Sequence, residues 1–305
     1  MKKYQINALL ACLAISPCVT AETLFVNNAT VHTMSSQSVL EKADLLIRDG
    51  RIQSVGSNLS APADATIIEA EGRPVTPGFF AGITAVGLQD IPAEASTVDH
   101  GLSTEAMRPE FDVSLAYNPD SVLVPITRIE GHTWTVLGAS RQGSIIGGQG
   151  RAVLFDGGYQ SFMGDKLLFI DVGADASGQS GGSRAGQWML LNQAMTEAGS
   201  DEVRWTPDTL LTAAGRQALA GFVDRGVVLF EVDRASDILQ VLNFADQQKI
   251  NPVIVGGAEA WKVADRLAEK GVPVLLNPLA NLPADFDQLG ARLDNAALLH
   301  SAGVT

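Results

Sequence analysis

From Val75 onward, short apolar runs alternate with amphipathic segments, and this alternation restricts the fold more than any other feature of the chain. Near-continuous apolar runs are typical of parallel strands that are buried on both faces. They lie at residues 133–137, 167–172, 227–232, 252–255 and 272–276. The amphipathic segments between them lie at residues 184–198, 235–248 and 258–269. This order predicts an α/β fold over residues 76–305, a (β/α)8 TIM-type barrel, with a doubly wound open sheet as the alternative.

Residues 22–75 have a different pattern, in which short β-rich runs are separated by turns. The runs at residues 43–48 and 51–55 flank an Asp-Gly pair, which is a strong hairpin signal. This region predicts strands of a small N-terminal β-module, which the family resemblance described below implies to be part of a β-sandwich. Residues 88–130 are less regular and rich in Pro and acidic groups, which indicates an insertion after the first barrel strand.

The first residues have the layout of a secretory signal peptide. Two lysines precede an apolar run at residues 8–15, and small residues follow up to Ala21. The run is too short to span a bilayer. We predict that residues 1–21 are a cleaved signal peptide and that the mature protein is periplasmic or secreted. A lipoprotein anchored through Cys12 or Cys18 is the less favoured alternative.

Charge and motif content narrow the range of partners. The formal net charge of −13 argues against nucleic acid and against an anionic membrane surface. No Gly-x-Gly-x-x-Gly motif follows a predicted strand, so a dinucleotide site lacks support. We expect a small-molecule substrate or ligand, no nucleic acid and no membrane span. A homo-oligomer is compatible with the sequence.

Residues 75–80 (VTPGFF) join the N-terminal module to the predicted barrel. This joint resembles that of the amidohydrolase superfamily, in which a Pro-Gly-Phe strand enters the barrel and presents two histidines one residue apart. Residues 235–238, 257–261 and 271–274 resemble later barrel segments of its imidazolonepropionase-like periplasmic branch. The resemblance implies an exported hydrolase of non-peptide carbon–nitrogen bonds, which acts on a cyclic amide or dipeptide-like substrate with a divalent metal, usually zinc.

The positions that the resemblance assigns to metal ligands hold other residues in this chain. The paired histidines fall on Ile83 and Ala85, and the later histidines fall on Glu231 and Gly256. A bound divalent metal lowers the pKa of water from about 16 to about 7, so a catalytic water would lose its usual activator. We therefore expect no metal at these positions. The alternative function is a catalytically inactive relative that uses the barrel to bind a small molecule or a partner.

Four side chains are candidate functional residues. Glu231 and Asp233 alternate on one predicted strand and therefore share a face, which makes them candidate catalytic residues. The structural alternatives are an ion pair of Glu231 with Arg234 and a helix cap by Asp233. Arg184 follows a glycine-rich loop that could hold an anion, and His100 could fold over the barrel mouth. Both are candidate substrate-binding residues.

Residues 302–304 (AGV) resemble the beginning of a strand. In the amidohydrolase superfamily the last barrel strand carries a catalytic aspartate, and no such strand follows here. We therefore expect the barrel to be incomplete at its last strand, as part of a longer chain with a truncated C-terminus.

The first testable prediction concerns export. We expect cleavage after Ala21, because small residues precede Glu22 and follow the apolar run. Mass spectrometry of exported protein should then find an amino terminus at Glu22. A retained Met1, or a lipid on Cys12, would contradict this prediction.

Overall fold

The computed structural model describes residues 22–36, 38–104, 106–200 and 206–305. The predicted signal peptide, including Cys12 and Cys18, lies outside the described residues. The chain divides into two compact units, with the boundary between Gly78 and Phe79. Within the described residues, every helix is too short or too polar to cross a membrane.

The first unit contains a five-stranded sheet. Its strands are β1 (Leu24–His32), β2 (Val39–Arg48), β3 (Arg51–Gly56), β4 (Thr66–Glu69) and β5 (Pro74–Val75). The order is β3-β2-β1-β4, with β5 also beside β1. β2 and β3 pair antiparallel around Asp49 and Gly50, which both have positive φ, and the predicted hairpin is confirmed. A sandwich requires a second sheet, so the sandwich module remains a prediction.

The second unit is built on a seven-stranded sheet. Its strands are β6 (Phe79–Thr84), β7 (His132–Leu137), β8 (Ile146–Leu154), β9 (Phe162–Asp171), β10 (Val227–Val232), β11 (Asn251–Gly256) and β12 (Val274–Leu275). They lie side by side in chain order from β6 to β12. A doubly wound sheet reverses its strand order partway, so that alternative is wrong. The incompleteness of the barrel remains a prediction.

The α-helices belong to the second unit within the described part of the chain. They are α1 (Leu123–Ile129), α2 (Arg184–Ala198), α3 (Ala213–Ala220), α4 (Ala235–Gln248), α5 (Ala264–Lys270) and α6 (Asn295–Ser301). Short 3₁₀ turns lie at Ala95–Thr97, Val113–Ala116, Ser177–Ser180, Ala260–Val263 and Phe286–Gln288. The bounds of α2 and α4 confirm the two longer amphipathic segments predicted from the sequence.

Side chains alternate between two layers along β9 and β10, as the pleat of a strand requires. On one face, Leu168 and Phe230 are fully buried in the core that also contains apolar side chains of α2 and α4. Phe230 meets Phe244 of α4 edge to face, with ring centroids 6.3 Å apart. On the other face, Phe169 and Leu229 join a second apolar cluster. Burial of each such side chain contributes roughly 1.5–3 kcal/mol to stability, which fixes the strands in place.

β8 is the strand that the apolar pattern did not predict. It pairs antiparallel with both β7 and β9, so the sheet is mixed rather than parallel throughout. Its glycines obscure the strand signal in the sequence IGGQGRAVL. They are required by close backbone approach, since a Cβ on Gly150 would lie 1.9 Å from the Leu137 carbonyl oxygen.

This close contact leads to a stability prediction. Gly150→Ala should lower the free energy of unfolding by about 2 kcal/mol or more, because the new methyl group overlaps backbone atoms that cannot move without disturbing β7. Gly178→Ala is the matched control, since nothing lies within 4 Å of the position that its methyl group would take and its φ is not positive. The control should change stability by less than about 0.5 kcal/mol in urea denaturation. Equal effects of the two substitutions would contradict this account of β8.

Candidate active site

Two carboxyl side chains lie next to each other near the carboxyl ends of β9 and β10. The strands are parallel and in a register that pairs Asp171 with Glu231, so both side chains leave the sheet on the same face. Asp171 is buried, with 5% of its surface exposed, whereas Glu231 is open to solvent. The two carboxyl groups are close enough to affect each other's ionisation.

The buried position of Asp171 favours its protonated form. Burial raises the pKa of the Asp171 carboxyl well above its ordinary value of 3.8, and the hydrogen bond and charge of Glu231 raise it further. The Arg141 guanidinium, 3.6 Å from the Asp171 carboxylate, lowers this pKa but does not reverse the shift. The Asp171 carboxyl therefore keeps its proton to higher pH than an aspartate in water does.

The pair lies on the wall of a cavity of about 300 Å³. Most of its apolar lining comes from the strand faces opposite α2 and α4, and its polar lining includes Thr84, His100 and Ser140 beside the carboxyl pair. The apolar lining residues are Ile83, Ala85, Ala139, Phe169, Ile170, Leu229 and Val255. A mostly apolar cavity with a few convergent polar groups and a carboxyl of perturbed pKa is the usual form of a small-molecule site.

His100 and Ser140 form a second polar pair on the same cavity. The His100 ring Nδ1 lies 2.9 Å from Ser140 Oγ, and the Ser140 amide donates to the His100 carbonyl over 2.8 Å. The insertion that contains His100 is therefore attached to the segment after β7 at this point. His100, which the sequence suggested as a substrate-binding residue, therefore lines the same cavity as Glu231.

Asp233 lies on a different cavity, about 740 Å³ in volume, which Glu231 also lines. Its two carboxylate oxygens accept hydrogen bonds from the Ala258 amide, at 2.9 Å, and from the Gln288 side chain, at 2.7 Å. The alternative role as a cap of α4 is wrong, because the Ala235 amide instead donates to Glu259, at 3.1 Å. Asp233 therefore holds the loop after β11.

Arg184 is held away from both cavities. Its guanidinium pairs with Asp237, at 3.1 Å, and with Asp287. Arg234 also pairs with Asp237, at 2.8 Å, which leaves the alternative pairing of Arg234 with Glu231 without support. The Ser183 side chain makes no capping hydrogen bond at the start of α2. Arg184 thus neutralises buried carboxylates, and a role in substrate binding remains a prediction.

The positions assigned to metal ligands offer few donor atoms. Ile83 and Ala85 line the smaller cavity with carbon side chains. Gly256 has φ +89°, and a Cβ there would lie 2.8 Å from Asp233 Oδ1, so the Asp233 carboxylate occupies the space that a ligand side chain would need. Within the described residues, no group of three or more His, Cys, Asp or Glu side chains could hold a metal. The donor set does not fit a resident zinc ion.

Sequence reasoning missed Asp171 and Ser140. A signal for Asp171 exists, because the runs LLFIDV and VVLFEV each carry one acid at the same place, and the register aligns them. An acid near the end of a buried strand needs a partner, and the neighbouring strand supplies it. Ser140 had no comparable signal, since it contacts His100 across 40 residues.

No family model matches the chain. A dihydroorotase of Geotalea daltonii is 54% identical over 45 residues, which are 15% of this chain and 11% of that protein. The chain therefore matches only a small part of this relative, and the relative's activity is not carried over by the match.

Comparison with solved structures identifies the fold. An amidohydrolase from Thermotoga maritima has a TM-score of 0.78 and 23% identity, over 92% of this chain and 76% of that chain. A prolidase in complex with N-methylphosphonate-L-proline has a TM-score of 0.51 and 14% identity, over 93% and 77%. These neighbours are amidohydrolase-superfamily members, so the predicted resemblance is confirmed for the fold. The curled seven-stranded sheet is a half-barrel of this type.

The proton on Asp171 predicts a pH dependence of stability. The pKa of Asp171 is higher in the folded state than its ordinary value of 3.8, so protonated Asp171 contributes its full stabilisation below about pH 3.8. This stabilisation is lost as pH rises through the pKa that Asp171 has in the folded state. Asp171→Asn removes the titration. Urea denaturation between pH 4 and pH 8 should show the wild type losing free energy of unfolding relative to Asp171→Asn as pH rises. Asp165→Asn, an exposed change on the same strand, should run parallel to wild type. Parallel curves for all three proteins would disprove the raised pKa of Asp171.

Proposed function

We propose that this protein is a hydrolase of carbon–nitrogen bonds in small amides, with the Asp171–Glu231 pair as its general acid and base. The observation that carries the proposal is the adjacent pair of carboxyl side chains on the wall of a substrate-sized cavity. A protonated Asp171 beside an ionised Glu231 presents an acid and a base to the same substrate, which is what amide hydrolysis requires. The amidohydrolase fold of the structural neighbours supports the same class of reaction.

The protons that are taken up and released during the reaction balance between Glu231 and Asp171. The Glu231 carboxylate takes a proton from a water molecule while the water oxygen bonds to the amide carbon. Asp171 then gives its proton to the departing nitrogen, and the carbon–nitrogen bond breaks to leave a carboxylic acid and an amine. The pair ends with one proton on Glu231, which returns to Asp171 through their hydrogen bond. No net proton is gained or lost by the enzyme.

The other polar groups support this reaction. His100 and Ser140 face the cavity and are fixed to each other, so they can hold the amide oxygen by hydrogen bonds. Arg141 contacts Asp171 from the side and stabilises the carboxylate that forms when the proton leaves. The poor donor set at Ile83, Ala85 and Gly256 supports a mechanism that needs no zinc. An inactive relative that only binds a ligand is not favoured by the carboxyl pair.

The remaining parts of the proposal rest on the sequence. The signal-like residues 1–21 support export, which would make the site periplasmic or secreted. A cyclic amide and a dipeptide-like molecule are the two substrate types that the family resemblance suggests. Assembly into a homo-oligomer is compatible with the proposal.

A substrate screen tests this function. Chelator-treated full-length protein should hydrolyse at least one member of a panel of cyclic amides and dipeptides. Asp171→Asn and Glu231→Gln should each lower kcat/KM about 10²–10⁴-fold, because each removes one proton-transfer group. Asp165→Asn should retain wild-type activity. Activity that is lost on chelation and restored by zinc would contradict the metal-free mechanism, and full activity in both pair variants would refute the assignment of the pair.

A further inference from the structure

Glu231 lines three neighbouring cavities of about 300, 40 and 740 Å³. Within the described part of the chain, the only Lys or Arg that lines any of them is Arg141, which pairs with the Asp175 carboxylate, at 3.4 Å, and also contacts the Asp171 carboxyl group, at 3.6 Å. The carboxyl side chains that line them are Asp171, Asp175, Glu231, Asp233, Asp285 and Asp287. Such an excess of one sign in a cleft concentrates ligands of the opposite charge.

The charge is not distributed evenly among these carboxylates. Asp171 is hydrogen-bonded to Glu231, Asp233 accepts two hydrogen bonds, and Asp287 is paired with Arg184. Glu231 is exposed and has no ion-pair partner among the described residues. It is therefore the charge that a ligand meets on entering the cavities.

One polar group in the wall of the larger cavity lacks a hydrogen-bond partner. Asn295, with only 8% of its surface exposed, lines this cavity, and its side-chain oxygen has no hydrogen-bond partner. Its amide nitrogen is already used, because it donates to the Gly257 carbonyl at 2.9 Å. A buried acceptor without a partner is costly, and an N–H donor on a ligand would satisfy it.

The cavity of about 300 Å³ sets the size and polarity of the rest of the ligand. Its wall includes Ile83, Phe169, Leu229 and Val255, which suit a hydrocarbon ring. A volume of about 300 Å³ accommodates roughly ten non-hydrogen atoms, at roughly 30 Å³ for each water-sized group. A molecule of this size can place an amide at the carboxyl pair and a substituent toward the larger cavity, because Glu231 lines both.

We propose that the substrate is a small lactam that carries a positively charged amino substituent, and that Glu231 selects it and rejects molecules with a carboxylate. The inference rests on the proposed function, because it takes the Glu231 cavity as the substrate site. It also decides between the two substrate types: a dipeptide-like molecule brings a free carboxylate, for which the described lining offers no unpaired Lys or Arg. Like charges placed together cost several kcal/mol in a partly desolvated site.

Three matched lactams test the charge preference. They are δ-valerolactam with an aminomethyl, an ethyl or a carboxylate group at carbon 3, so that size varies little while the charge is positive, neutral or negative. Titrations of the full-length protein, followed by NMR at pH 7.5, give the three affinities. The aminomethyl compound should bind at least about tenfold more tightly than the carboxylate, with the ethyl compound between them.

Two variants separate charge from catalysis. Asp171→Asn resembles the protonated Asp171 in shape and charge, so it should keep the order of affinities while it loses hydrolysis. Glu231→Gln removes the negative charge and should reduce the preference for the aminomethyl compound to less than about threefold. Thermal denaturation of each variant checks that it is folded, and Asp165→Asn serves as the control for an unrelated change of charge.

The outcomes distinguish this inference from the proposed function. Equal or tighter binding of the carboxylate, no binding of any compound, or an unchanged preference in folded Glu231→Gln would overturn the inference. If the predicted order holds in both wild type and Asp171→Asn but no lactam or other amide is hydrolysed, the charge selection stands and the hydrolase function fails. Hydrolysis of a carboxylate-bearing amide through Asp171 and Glu231 would support the function and overturn the inference.

Discussion

The in-register pairing of β9 with β10 is the constraint on which the candidate site depends. It aligns Asp171 with Glu231 on one face of the sheet, and neighbouring strands are separated by about 4.8 Å. Burial penalises the charge on Asp171, and the adjacent Glu231 carboxyl group opposes its ionisation further, so both raise the pKa of Asp171. A slip of one residue would send Asp171 to the opposite face and abolish the pair. The chemistry therefore follows from the strand register.

The core holds that register. Leu168 and Phe230 are fully buried on the helix-facing side, and a one-residue slip would exchange them with side chains that face the cavity. The same alternation places Phe169 and Leu229 beneath the carboxyl pair. Apolar side chains on both faces thus have two effects: they fix the strands, and they keep water from the buried carboxyl.

Much of the fold could be predicted from the sequence, because apolar runs and amphipathic segments report burial directly. This signal located β9, β10, α2 and α4, and the Asp-Gly pair located the first hairpin. It failed for β8, where Gly150 is selected by close contact with a carbonyl rather than by hydrophobicity. Glu231 stood out as an acid within an apolar strand, whereas its partner Asp171 emerges only when two strands are aligned. Contacts between distant segments, such as His100 with Ser140, leave no local pattern to detect.

The apolar residues at the assigned ligand positions and the raised pKa of Asp171 belong to the same cavity. Ile83 and Ala85 supply hydrocarbon where the family resemblance leads one to expect imidazoles, and hydrocarbon makes the cavity less able to stabilise a charge. An aspartate in water loses its proton near pH 4 and would be a poor acid at neutral pH. Against this apolar wall, with the negative Glu231 beside it and only the partial compensation of Arg141, the Asp171 carboxyl keeps its proton to higher pH. The cavity whose apolar lining weakens the case for a metal thus also contains a carboxylic acid that could protonate a leaving nitrogen.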